Sequence, residues 1–224
     1  MWLIIFAACY VAANMLVGLI GLPLDILTPS GLLLYRLMIY IVTGVLLAGA
    51  FLLYYRKSPK LIDFGIPWWP KWKELGLGVA GMAIYVLGTM LVLYIATTLF
   101  GLNATQEQDL GFTSRLFGNE LMMAFVVLVV LTPIFEEMIF RGFLYGRLRA
   151  ITKKAWWVPA LLVSALFGVA HGQWNVGLDV FVLSMVACAL RELTGSIWGG
   201  VVLHMIKNMI AFMFTFVFIN GIGG

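Results

Sequence analysis

Apolar residues run along this chain in unbroken stretches of about 20, separated by short polar clusters, and they do not alternate one by one with polar residues. A run of that length crosses the ~30 Å hydrocarbon core of a bilayer as an α-helix. A transmembrane barrel would instead show alternating strands of about ten residues. In lipid every backbone N–H and C=O must be paired internally, so long apolar runs without alternation predict helices. The pattern places spans near residues 2–22, 32–55, 75–100, 120–141, 156–172, 177–193 and 197–219. The expected fold is all-α: a polytopic transmembrane helix bundle of about seven (six to eight) spans, forming a single integral membrane domain over 1–224. Between the second and third spans, Trp68, Trp69 and Trp72 mix with Lys71 and Lys73, a composition suited to the headgroup level, which predicts an interfacial helix near 61–74. Met1 to Ile5 contains no basic residue, so the first run is read as a retained span and not as a cleaved signal.

Composition agrees with the pattern. The chain is 63% hydrophobic and 11% charged, where a soluble domain carries about 25% charged residues, too few here to cover a water-facing surface. Cys9 and Cys188 lie inside apolar runs and read as small buried hydrophobes, not as a disulfide framework. The net charge of +4 looks at first like an affinity for nucleic acid, but its placement follows membrane topology instead, and no nucleic-acid partner is expected. Arg56, Lys57, Lys60, Lys71 and Lys73 share one connection, Arg147, Arg149, Lys153 and Lys154 another two spans later, and Arg191 ends a further pair of spans. The opposite connections hold Asp25, Glu107 and Asp109, with Arg115 as their basic residue. The positive-inside rule then puts the N-terminus in the cytoplasm and the C-terminus outside.

Against this background three places break the apolar pattern: Glu136-Glu137 with Arg141, His171, and His204 with Lys207 and Asn208. An ionisable side chain at the centre of a span costs at least ~2.5–3.5 kcal/mol, so such residues mark function by default. Glu137 and Arg141 stand at i,i+4 and can pair, which would hold Glu137 ionised; Glu136 lies about 100° around the helix and is the better placed proton acceptor. His204 and Asn208 share one helix face, as do Phe167 and His171. Glu136 lies 17 residues before Lys153 and His171 lies 17 after Lys154, so a helical hairpin turning at the two lysines would bring both side chains to one depth. One cavity open to the cytoplasm could then gather Glu136, Glu137, His171, His204 and Asn208. The bland alternatives are a structural Glu137–Arg141 ion pair and histidines that merely pack or end a span.

Other chemistries fail on spacing. Ser196 is eight residues from His204, about 12 Å along a helix, beyond reach of a Ser–His pair. Ser164 is two helical turns from His171, and Cys188 has no histidine near it in sequence. The zincin motif HExxH is absent. An activated water held by Glu136 and His171 remains, with a zinc site on Glu136, His171 and His204 as the alternative, since two histidines, a carboxylate and a water form a known catalytic set. A proton-coupled transporter would also use Glu and His, but the short-looped spans without repeats suit it poorly.

Taken in order, Glu136-Glu137-x-x-x-Arg141, Phe167-x-x-x-His171 and His204-x-x-x-Asn208 on successive apolar segments resemble the CAAX protease and bacteriocin-processing family, which includes the type II CAAX prenyl endopeptidases and the bacterial Abi-type proteins. The resemblance covers roughly 120–215. It implies a membrane-embedded endopeptidase without a cofactor, acting on a peptide or a lipidated protein. Glu136 and His171 would activate water, Glu137 and Arg141 would support the first motif, and His204 and Asn208 would stabilise the oxyanion. It also allows a non-catalytic immunity protein that binds a peptide.

Overall fold

The computed structural model describes residues 1–20, 26, 28–102, 116–152 and 155–218. Asp25, Glu107, Asp109, Arg115, Lys153 and Lys154, on which part of the topology and hairpin reasoning rests, lie outside the described residues. Each expected span is a helix, and no strand occurs among the described residues. We number them α1 (Trp2–Ile20), α2 (Pro29–Tyr55), α3 (Trp72–Phe100), α4 (Gly118–Thr152), α5 (Trp157–Val169), α6 (Trp174–Thr194) and α7 (Trp198–Phe218). The protein is an integral membrane protein: α1, α2, α3, α4 and α7 are each long and apolar enough to cross a bilayer. Leu53, Leu87, Leu91 and Phe100, among many others, present large apolar side chains at the surface, which lipid solvates at no cost. The two remaining helices differ from full spans in different ways. The 13 residues of α5 extend only about 20 Å, and α6, though 21 residues long, carries Asp179, Arg191 and Glu192.

Two observations change the expected picture. The stretch near 61–74 is not an interfacial helix. It contains a single 3-10 turn, Leu61–Phe64, followed by irregular chain up to the start of α3. Pro67 and Pro70 each remove a backbone donor, and Gly65 sits at φ +80, so a continuous helix cannot form there. The other change is the length of α4, whose 35 residues extend some 50 Å and carry the chain without a break past Arg141 to Arg147 and Arg149. Within α4 the hydrogen-bond ladder widens to π-helix at Val126–Leu131 and again at Glu137–Tyr145. Such widened turns are rare and frequently stand at functional sites.

The contacts fall into two compact units, each assembled from separated segments of the chain. The first comprises Met1–Lys60, Leu110–Ile139 and Met205–Gly224, and the second Leu61–Asp109 and Phe140–His204. In the first, α1 packs along α2, and Leu33, Ala124, Val127, Val129, Phe212 and Phe216 form a buried apolar cluster. In the second, α6 packs against both α3 and α5 around Tyr85, Val182, Leu183, Leu190 and Leu203. The α5–α6 pair is close because Gly168 and Gly177 let the two backbones touch; a Cβ on Gly168 would lie 2.7 Å from the Gly177 carbonyl oxygen.

Candidate active site

In the first unit the acidic pair is buried near the middle of α4. Glu136 is 4% exposed and Glu137 fully buried. The Tyr40 hydroxyl, from the middle of α2, donates a hydrogen bond to Glu136 Oε1. Asn208, on α7, donates from Nδ2 to the Leu128 carbonyl at 2.9 Å. The sequence explains that contact. Over the first π-stretch the backbone N–H of Thr132 bonds to the Val127 carbonyl, and the next donor in this widened ladder would be residue 133 onto Leu128. Residue 133 is proline and has no N–H, so the Leu128 carbonyl loses its ladder partner and the Asn208 amide takes the vacated place. An amide nitrogen carries two N–H groups, so this one bond does not exhaust Asn208 as a donor.

In the second unit the ring of Phe167, 1% exposed, is a hub for the other candidates. The Arg141 guanidinium lies over its face, 4.3 Å from the ring centroid. His171 meets the ring edge-on at 4.8 Å, His204 at 6.0 Å and Phe140 at 4.8 Å. A cation over an aromatic face in a desolvated site is worth ~2 kcal/mol or more, which compensates part of the cost of burying Arg141. His204 is 2% exposed. His171 follows the last turn of α5, which Gly172 closes at φ +73, so it stands at a helix end yet remains half-buried. Its Nδ1 lies 2.8 Å from the Phe167 carbonyl oxygen. A carbonyl only accepts, so Nδ1 carries the proton, and Nε2 is the acceptor nitrogen of the neutral ring. Phe167 therefore orients His171 twice, through its ring and through its backbone oxygen.

The candidates thus gather into two sets. Arg141, His171 and His204 meet around Phe167 in the second unit, while Glu136, Glu137 and Asn208 belong to the first. Among the described residues of either unit, no three His, Cys, Asp or Glu side chains are grouped as a metal ion would require. Sequence reasoning missed Tyr40. The available signal was Arg36 and Tyr40 at i,i+4 inside an apolar run, a polar pair on one face of a span. Asp179 of α6 accepts hydrogen bonds from Tyr85 and, at 3.4 Å, from Thr89, both on α3.

All three motifs fall within residues 118–210, which match the family described as type II CAAX prenyl endopeptidase Rce1-like. That segment is Rce1-like. The match bears out the family resemblance carried by the motifs and leaves α1 to α3 outside it. A curated relative, an uncharacterized 24.3 kDa protein of Escherichia coli, is 26% identical over 137 residues, covering 58% of this chain and 63% of that protein. The alignment thus spans less than two thirds of the relative's length. No solved structure matches the chain.

Proposed function

We propose that this protein is an intramembrane endopeptidase that cleaves a peptide or the prenylated tail of a protein with a water activated by Glu136 and His171. The observation that carries the reading is the burial of Glu136, Glu137, Arg141 and His204, each at most 4% exposed, in an apolar helical protein whose Rce1-like segment contains them all. Burial of this many ionisable groups is costly, and a catalytic role accounts for it better than packing does. In the proposed reaction Glu136 is the general base and His171, with Nε2 as its free acceptor, orients the water. Glu136 removes a proton as the water oxygen bonds to the scissile carbonyl carbon. The carbonyl oxygen becomes an oxyanion that accepts hydrogen bonds from His204 and Asn208, each such donor in a dry site being worth ~2.7–4 kcal/mol. When the C–N bond breaks, the proton held by Glu136 passes to the leaving amine.

Zinc on Glu136, His171 and His204 is the second reading. The observation in its favour is the His171 Nδ1 contact to the Phe167 carbonyl, because metal-bound histidines are commonly fixed through their other ring nitrogen. The test is hydrolysis of a synthetic farnesylated CAAX peptide by the purified protein in liposomes. Cleavage by wild type, undiminished by a chelator and absent in Glu136→Gln, is the expected result. Chelator-sensitive cleavage would replace the glutamate mechanism with the metal one. Wild-type turnover in Glu136→Gln would remove Glu136 as the base.

A further inference from the structure

Tyr40 belongs to none of the three motifs and lies outside the Rce1-like segment, yet it makes the side-chain contact to Glu136 described above. Its position is unusual on elementary grounds. It sits eleven residues beyond Pro29, about 17 Å along α2 and close to the middle of a 27-residue span, where lipid offers a phenol hydroxyl no hydrogen-bond partner. A tyrosine hydroxyl inside an apolar span finds a partner, and here the partner is a carboxylate 96 residues away in sequence. The contact also fixes the direction of donation. The phenol donates and the carboxylate oxygen accepts, so Glu136 Oε1 is tied to a rigid ring carried by a long helix. A glutamate side chain has three rotatable torsions, and a general base must stand within hydrogen-bond reach of the proton it takes. Tyr40 removes much of that freedom.

We propose that Tyr40 is a positioning residue for Glu136: its hydroxyl holds one carboxylate oxygen so that the carboxylate faces the attacking water in a single orientation. The proposal rests on the reading of Glu136 as the base. It gives α2, in the half of the chain that the family match does not cover, a part in the chemistry. Hydrogen bonds to charged groups are worth roughly 1.5–3 kcal/mol, and if that much is realised in the transition state the rate effect is about ten- to hundredfold.

The experiment uses the full-length protein in liposomes with the farnesylated CAAX peptide as probe, and compares Tyr40→Phe, Tyr35→Phe as a control on the same helix, Glu136→Gln, and the double variant Tyr40→Phe/Glu136→Gln. Tyr40→Phe should lower kcat about ten- to hundredfold with KM changed less than about twofold, while Tyr35→Phe stays near wild type. The Tm shifts of Tyr40→Phe and Glu136→Gln should fail to add in the double variant, a readout that needs no substrate. An unchanged kcat in Tyr40→Phe alongside an inactive Glu136→Gln overturns this inference and leaves the endopeptidase reading standing. Additive Tm shifts overturn it as well. Wild-type turnover in Glu136→Gln removes both.

Discussion

Phe167 shows how one apolar residue can order several polar ones. Its ring takes the Arg141 cation on its face and the two histidines at its edge, and its carbonyl fixes the His171 tautomer. Phe167→Leu keeps the backbone oxygen and most of the volume but removes the π-face. The cation–π contact alone is worth about 2 kcal/mol when desolvated, and each aromatic pair adds roughly 0.5–1.5 kcal/mol. The variant should therefore lower Tm by several degrees and reduce peptide cleavage more than tenfold; an unchanged Tm in a detergent melt would show that the ring is not the support described. The identities of the polar residues were legible in the sequence because intramembrane Glu, Arg and His stand out against apolar neighbours. What each one touches was not. Asn208 was expected as an oxyanion donor, and its observed bond goes to a carbonyl that Pro133 deprives of a partner, a link that requires knowing that α4 runs in a π register over Val126–Leu131.

At the scale of elements, the segment ahead of α3 acts as a strap across the second unit. The Gly65 carbonyl accepts from Ile197 N at 3.0 Å, Arg147 pairs with Asp63 at 2.6 Å, and the Phe64 backbone presses on Gly142 in the second π-stretch of α4. Further along, Glu74 is buried and accepts from Trp68 Nε1 at 2.9 Å, from Lys71 N at 2.8 Å and from the Ser196 hydroxyl. Gly142 is adjacent to Arg141, so the strap bears on the part of the helix that carries the first motif. A Cβ at residue 142 would overlap the Phe64 carbonyl, and since that neighbour is backbone it cannot rotate away. Gly142→Ala should cost about 1–3 kcal/mol, the usual range for overpacking, and should lower cleavage with it. A melt unchanged from wild type would mean that the strap yields freely. Hydrophobic periodicity could locate the helices, because each apolar run is long, but it could not foresee the strap. Its irregular path is set by prolines, a left-handed glycine and contacts to residues far along the chain, none of which has a period.

For the whole molecule the charges predict which end of each helix faces the cytoplasm. Arg56, Lys57, Lys60, Lys71 and Lys73 are all exposed and follow one another in sequence from the end of α2 to the first turn of α3. The length of α4 carries Arg147 and Arg149 beyond what the hydrocarbon core needs, so they too stand at a membrane face. Both arginines are paired, Arg147 with Asp63 and Arg149 with Glu192 at 2.6 Å, and Tyr145 also donates to Glu192. Pairing does not cancel their topological weight, because acidic residues contribute little to the positive-inside rule. Trp69 and Trp72, 86% and 88% exposed, stand beside Lys71 and Lys73 as headgroup-level anchors do. The 29 residues of α3 span about 43 Å, enough to carry Leu102 to the opposite face. Single cysteines at Lys57, Lys73 and Leu102 test this in intact cells with a membrane-impermeant maleimide, with wild type as background because Cys188 is buried and Cys9 is partly buried. Leu102→Cys should label at once, while Lys57→Cys and Lys73→Cys should label only after the membrane is opened. The reverse pattern would invert the topology and place the N-terminus outside. Labelling of all three from outside would mean that α3 does not cross the membrane at all.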